Sequence, residues 1–493
     1  MKAFGTITAC FPHVDQETRD ILQAAMDEAK DFDDFAEILC ARACKESFPP
    51  LTNYFAYFFA YDQGKYNIMD RIQEAGRHTD LAKPLLLAVQ ARRGVHVEWN
   101  EFQKALSKAL KETQGDWIAC HVYMAWRRLV DLMYTESSID SGPLSILESK
   151  IENDDGFSFF RSDLYRIKGN RLRKERSLNE ATKMYNLAIT QAKQHDNLVL
   201  LAILLAEKAN LVKRTNIDEA LSILELHREV CERIGFVAGF GFNAHQLGHI
   251  ALAKGEFDLA LHHQNKCHQI LTSLGDSQGY LASIIALLYN MMRDGARALE
   301  LIATTQQEMT TDFIPMAFIQ EAWALVNLDK INDAETSLSK AKELVLKRDD
   351  EVHLGLTYFV EGLIEKARGE FASASYSLDN ALGIFERYYS QAYHNMTLIH
   401  LTDIEVESFP YSTKNEKLDY SGPWMRKLLD LVAKKSLPGI EAQSKLLRAK
   451  FLFKQGQFTQ SNKLVKEVLK TSKSSSMHYL ENLSKLMLPE LST

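Results

Sequence analysis

The chain has 493 residues, 46% apolar and 25% charged, with only 10 prolines, a balance that excludes a disordered or low-complexity chain. A formal net charge of −7 supplies no global attraction for nucleic acid or an anionic membrane, so neither is expected as a partner. Six cysteines scattered over this length form no disulfide framework, and no apolar run approaches the ~20 residues that span a bilayer; free thiols and a cytoplasmic location are expected.

Residues 1–50 read as a helical N-terminal cap, carried by "DQETRDILQAAMDEAK" (15–30) and "FDDFAEILCARACK" (32–45). The stretch "ITAC" (7–10) resembles a lipoprotein cleavage box, but the segment before Cys10 is too short and too polar for a signal core. Cys10, His13, Cys40 and Cys44 have zinc-ligand chemistry, yet buried small residues explain the cysteines more simply, and no metal is expected. Residues 51–160 read as degenerate helical hairpins: "FFAYDQGKYNIM" (58–69) keeps Gly64 and Tyr66, and "EFQKALSKAL" (101–110) keeps Phe102, Leu106 and Ala109.

From 161 to 405 one pattern recurs. "LYRIKGNRLRKERSLNEATKMYNLAI" (164–189) has Gly169, then Ala181, Tyr185 and Ala188; "LGHIALAKGEFDLA" (247–260) has Gly248, Gly255, Phe257 and Ala260. The unit at 358–382 repeats it with Gly362, Gly369, Phe371 and Ala374. The later small residues run Ala181, Ala220, Ala260, Ala298, Ala334 and Ala374, 36–40 residues apart, and Ser461 resumes the series two units on. This spacing predicts helix–turn–helix hairpins. A small residue on each helix, twelve apart, lets the two backbones cross closely, and Gly255, Gly369 and Gly456 fall in the turn, where a positive φ suits glycine. Residues 406–423 form the longest irregular stretch and read as a hinge or loop. Residues 424–493 return to hairpins and a capping helix. Two helix starts, Ser141-Gly142-Pro143 and Ser421-Gly422-Pro423, share one device, a proline where the first amide would be unpaired anyway.

This set of small and aromatic positions resembles the tetratricopeptide repeat (TPR) family, in the longer-repeat variety of prokaryotic sensor and adaptor solenoids. The resemblance implies an all-α, right-handed α-solenoid of about ten stacked hairpins, whose first helices line a concave groove. Carried onto this chain, the groove positions are basic and polar at one end: Arg166, Asn170, Arg173 and Lys174. Farther along they are aromatic and aliphatic: Phe242, His245, His249, Tyr280, Met316, Ile319, Trp323, Phe359 and Leu363. Arg166 and Asn170 resemble the start of the family's carboxylate clamp, but Ala206, Phe242 and Gln246 stand where the rest of it would be.

His245 and His249, four apart, and His263 with Cys267 have chelating spacing, but Cys267 occupies a packing slot and the remaining histidines fan apart. No nucleophile elbow, phosphate loop or zincin motif occurs, so neither catalysis nor a cofactor is expected. The function implied is a non-enzymatic scaffold or adaptor that holds a peptide or helix of a partner protein in the groove, which is basic at 161–176 and apolar at 242–366. The alternative is a ligand- or peptide-sensing regulator that signals through a partner.

Overall fold

The computed structural model describes residues 5–92, 97–113, 115–133, 142–275, 279–305, 314–347, 350–388, 390–409 and 422–490. Among these residues every regular element is a helix. The N-terminal part contains α1 (Gly5–Cys10), α2 (Gln16–Glu28), α3 (Phe32–Lys45), α4 (Pro50–Asp62), α5 (Tyr66–Glu74), α6 (Lys83–Arg92), α7 (Trp99–Glu112), α8 (Asp116–Met133) and α9 (Gly142–Asn153). Hairpins follow as α10 (Arg161–Lys174) with α11 (Leu178–Gln194), α12 (Leu198–Val212) with α13 (Ile217–Ile234), and α14 (Val237–Lys254) with α15 (Phe257–Ser273). Next come α16 (Gly279–Met291) with α17 (Gly295–Thr305), α18 (Ile314–Asn327) with α19 (Ile331–Leu346), and α20 (Glu351–Ala367) with α21 (Phe371–Arg387). The chain ends with α22 (Gln391–Ser408), α23 (Pro423–Lys434), α24 (Pro438–Lys454), α25 (Phe458–Ser474) and α26 (His478–Glu490). The fold is an all-α solenoid of TPR-like hairpins.

The hairpin chemistry is the one the spacing predicts. Ala181, Ala220, Ala260, Ala298, Ala334, Ala374 and Ser461 are all fully buried. A Cβ on Gly169 would meet the Tyr185 ring at 3.2 Å, and one on Gly362 would meet Leu378 at 2.7 Å, so these glycines sit at the helix crossings. Where alanine is replaced by Ser461, its hydroxyl donates to the Ala449 carbonyl at 2.7 Å and bridges the same crossing. Gly255, Gly369 and Gly456 have φ of 76, 80 and 74° in their turns. Arg176, Arg293 and Asp329 hold the corresponding turns with positive φ and no glycine.

The chain divides into two compact units, 1–246 with 266–278, and 247–265 with 279–493. In the first, the N-terminal hairpin folds back on later helices. A Cβ on Gly64 would lie 2.8 Å from the Ala238 Cβ, and the Asn67 amide donates to the Leu274 carbonyl at 3.2 Å. In the second, the 254–256 turn abuts the start of α24: a Cβ on Gly255 would lie 2.8 Å from the Ile440 amide nitrogen. The Asn395 amide donates to the Ala253 carbonyl at 3.0 Å, and the Tyr479 backbone amide to Asp258 at 3.1 Å. Of the expected hinge at 406–423, residues 410–421 lie outside the described residues, as do Ser141 and Ser421.

Candidate functional site

The first unit holds a cavity with about 880 Å³ of empty space, its solvent-open mouth included. Its walls come from four parts of the unit. The α4–α5 hairpin supplies Tyr61, Asp62, Gly64 and Tyr66; α10 supplies Arg166; α12 supplies Ile203, Ala206, Glu207 and Asn210. Phe236, Ala238, Phe242 and Gln246 close the last side from α14 and the residue before it. The cavity exists because α10, α12 and α14 each present the same face of a first helix, while the Gly64 turn is held against Ala238 opposite. Asn197 caps α12 by accepting from the Leu200 amide at 3.2 Å, and its Oδ1 also accepts from the Thr6 hydroxyl at 3.2 Å.

Charge within the wall is already matched in part. Arg166 is buried and donates from two nitrogens to Glu207, at 2.9 and 2.6 Å, a bidentate pair. Asn170 is buried too, and its Oδ1 accepts from the Tyr185 hydroxyl at 2.6 Å. The basic run 161–176 is largely compensated: Arg161 pairs with Asp155, Lys168 with Glu152, and Arg171 with Glu175. Lys174 is exposed at the end of α10.

Arg173 behaves differently. It lies in the last turn of α10, half-buried, and its Nε is enclosed without a hydrogen-bond partner. Lys213 and Arg214, in the turn after α12, are also half-buried. The Lys213 ammonium donates to the Gln246 side-chain oxygen at 2.8 Å, which ties this turn to the cavity wall. Burial, and then the neighbouring Arg214 and Arg173, pull the Lys213 pKa down to about 7. Burial and Arg173 also lower that of Arg214. Sequence reading missed these groups and Glu207. A lone carboxylate in the apolar run "LVLLAILLAEKANLV" was the available signal for Glu207; Lys213 and Arg214 looked like ordinary turn charges.

The expected groove residues separate into two environments. Arg166 and Phe242 line the cavity, with Asn170 and Arg173 close behind on α10. His245 and His249 follow on α14, half-buried. In the second unit, Ile319, Trp323, Phe359 and Leu363 are buried in one apolar core, with half-buried Met316 packed against it. The Trp323 and Phe359 rings meet edge to face at 4.9 Å, and Phe359 meets His400 at 5.4 Å. The structure therefore places these side chains in packing contacts rather than on an open face. Asn290 and Gln320 are consumed in the same way: the Asn290 amide donates to the Gln320 carbonyl at 2.9 Å and the Asn327 amide to the Asn290 carbonyl at 2.9 Å. The side chain of Tyr280 lies outside the described residues.

Among the described residues no group of three or more His, Cys, Asp or Glu side chains is placed to hold a metal ion. Cys267 is fully buried, as its packing slot predicts, and the His262 and His263 rings lie 5.6 Å apart. Cys10 and Cys40 are free and buried, and burial pushes both thiols well above their usual range. No described helix is long and apolar enough to cross a membrane.

No protein-family model matches the chain, and no curated protein matches it in sequence. Among solved structures it is similar to a Rap protein complexed with Competence and Sporulation Factor, at 12% identity over 68% of this chain and 98% of that one, with a TM-score of 0.45. It is also similar to yeast Tom70, at 12% identity over 92% of each chain and a TM-score of 0.34. A third is a signal transduction ATPase (STAND) protein with a tetratricopeptide repeat sensor from Pyrococcus horikoshii, at 10% identity over 91% of this chain and 74% of that one, with a TM-score of 0.34. Identity and superposition this low carry no ligand, partner or activity over to this chain.

Proposed function

We infer that the chain is a non-enzymatic protein-interaction scaffold, and that the cavity of the first unit receives a short segment of a partner protein. The observation that supports this reading is the cavity itself. It is walled by first-helix residues and lined by Tyr61, Tyr66, Ile203, Phe236 and Phe242, with polar Asn210 and Gln246 among them. Concave sites of this make-up, mostly apolar with a few placed polar groups, suit a peptide with one apolar anchor. The second-unit face, where Trp323 and Phe359 pack on each other, takes no part in this reading.

The test is a selection from a displayed random-peptide library. The full chain enriches related peptides, while Ala206→Trp, which fills the cavity, and Phe242→Ala, which removes an anchor wall, do not; helical circular dichroism checks that both variants fold. Absence of enrichment, or equal enrichment on the folded variants, overturns the assignment. A second reading, sensing of a small ligand, is favoured by one observation: the cavity sets a few polar groups, Asn210 and Gln246 among them, within aromatic and aliphatic walls, as small-molecule pockets do. Thermal-shift screening of metabolites against peptides separates the two, since a ligand bound to the folded state raises the melting temperature.

A further inference from the structure

Three cations from two hairpin ends lie close enough to act on one another, and one of them, Lys213, is bonded to Gln246 of the cavity wall. Arg173 comes from the last turn of α10, and Lys213 and Arg214 from the turn between α12 and α13. Among the described residues none of the three takes part in an ion pair. This contrasts with Arg166 two turns earlier on α10, whose guanidinium is held by Glu207 in a bidentate pair. The neutral groups around them are Tyr185, whose hydroxyl donates to Asn170 and hydrogen-bonds with Arg173, and Gln246, which accepts from Lys213 and also lines the cavity; the carboxylate near Tyr185, Glu207, is paired with Arg166. The Arg173 Nε–H is enclosed and has no acceptor. Enclosing like charges without a counter-charge is unfavourable, and an enclosed donor without an acceptor adds a further cost. Both are relieved by one bound oxyanion.

The geometry points to an anion site formed by Arg173, Lys213 and Arg214, which takes a carboxylate or phosphate group of whatever ligand occupies the adjoining cavity. Two guanidinium groups and an ammonium provide the planar, multi-donor recognition such oxyanions favour. Gln246 is the link: bonded to Lys213 and facing the cavity, it sets the anionic end of the ligand beside the apolar end. This assignment names the ligand chemistry for the site of the proposed function and rests on that reading only for the apolar part.

The experiment reads Lys213 directly, with the full chain. An amine-acylating reagent labels neutral lysines, and mass spectrometry follows Lys213 with the exposed Lys174 as internal reference. With its pKa held at about 7, Lys213 is about half neutral at pH 7 and labels fast. A bound anion that raises this pKa by one unit cuts the neutral fraction to about a tenth, so labelling slows about fivefold. Inorganic phosphate and acetate, each matched in ionic strength with chloride, are the two probe arms. Protection by phosphate alone assigns a phosphorylated ligand, and protection by acetate as well assigns a carboxylate. Arg173→Gln and Arg214→Gln, verified as folded by circular dichroism, weaken the protection. Unchanged Lys213 labelling in both arms, or equal slowing at Lys174, overturns the site. Because no peptide is involved, this result stands apart from the peptide selection: phosphate protection without peptide enrichment leaves the anion site in place and removes the peptide.

Discussion

The turn at Gly255 gives the sharpest test of how the second unit is held together. Gly255 and Gly369 occupy the same place in two hairpins, with φ of 76 and 80°. Alanine at either position carries the left-handed penalty of about 1–2 kcal/mol, offset in part by a less mobile unfolded chain. The surroundings differ. A Cβ at Gly369 meets nothing within 4 Å, whereas at Gly255 it lies 2.8 Å from both the amide nitrogen and the Cδ1 of Ile440. Backbone cannot rotate away as a side chain can, so the start of α24 must shift, at a further cost of about 1–3 kcal/mol. Gly369→Ala is therefore expected to destabilise by about 1 kcal/mol and Gly255→Ala by about 2–4 kcal/mol. At roughly 2–4 °C per kcal/mol for a unit of this size, the melting temperatures separate clearly. Native-state hydrogen exchange gives the location: the amides of α24 lose protection in Gly255→Ala and keep it in Gly369→Ala. Equal melting shifts with unchanged α24 protection would refute the docking of the 254–256 turn on Gly439 and Ile440.

Four further outcomes are expected. Trp323→Ala removes a buried ring that packs on Phe359 and costs about 3–5 kcal/mol; a small change in denaturation midpoint would show that the face is open instead. Gly422→Ala places a Cβ 1.9 Å from a Glu405 oxygen and evicts the carboxylate that accepts from the Met425 amide at 2.9 Å, with a loss of about 1–2 kcal/mol, measured against Glu405→Gln as a second route to the same cap. His227 is buried, accepts at Nδ1 from the Asn243 side-chain amide nitrogen at 3.1 Å, and has its pKa lowered by burial to about 4, below its unfolded value of about 6.5. The folded state thus resists the proton: this stability is complete above pH ~6.5 and is lost at about 1.4 kcal/mol per unit as pH falls toward 4, a slope that His227→Gln flattens in pH-dependent melting. Ser476→Gly relieves a positive φ of 54° at an exposed residue and is expected to stabilise by roughly 0.5–1 kcal/mol in thermal melts, the left-handed penalty less the entropy glycine adds to the unfolded chain.

The hairpins were legible because they are local. A small residue at each crossing, twelve apart, and a turn between them need no knowledge of distant chain, and Gly169, Gly362 and the Ala181–Ala374 series occupy the places their spacing predicts. Partial legibility ends at the first-helix faces. Phe242 and Met316 hold equivalent positions by pattern, yet one lines a cavity and the other packs against the core of its unit. That difference depends on which remote segment covers each face. In the first unit Gly64 approaches Ala238, and in the second Gly255 meets Gly439 and Asn395 reaches Ala253. Such contacts join residues more than a hundred positions apart and have no periodicity of their own. They result from small rotations accumulated over successive hairpins, which composition and spacing do not encode. The sequence alone therefore determined the repeating unit, because its geometry is set by residues within one hairpin. Tertiary structure decided which concave surface stays open and which cations are left uncompensated, because both depend on how distant hairpins close on one another.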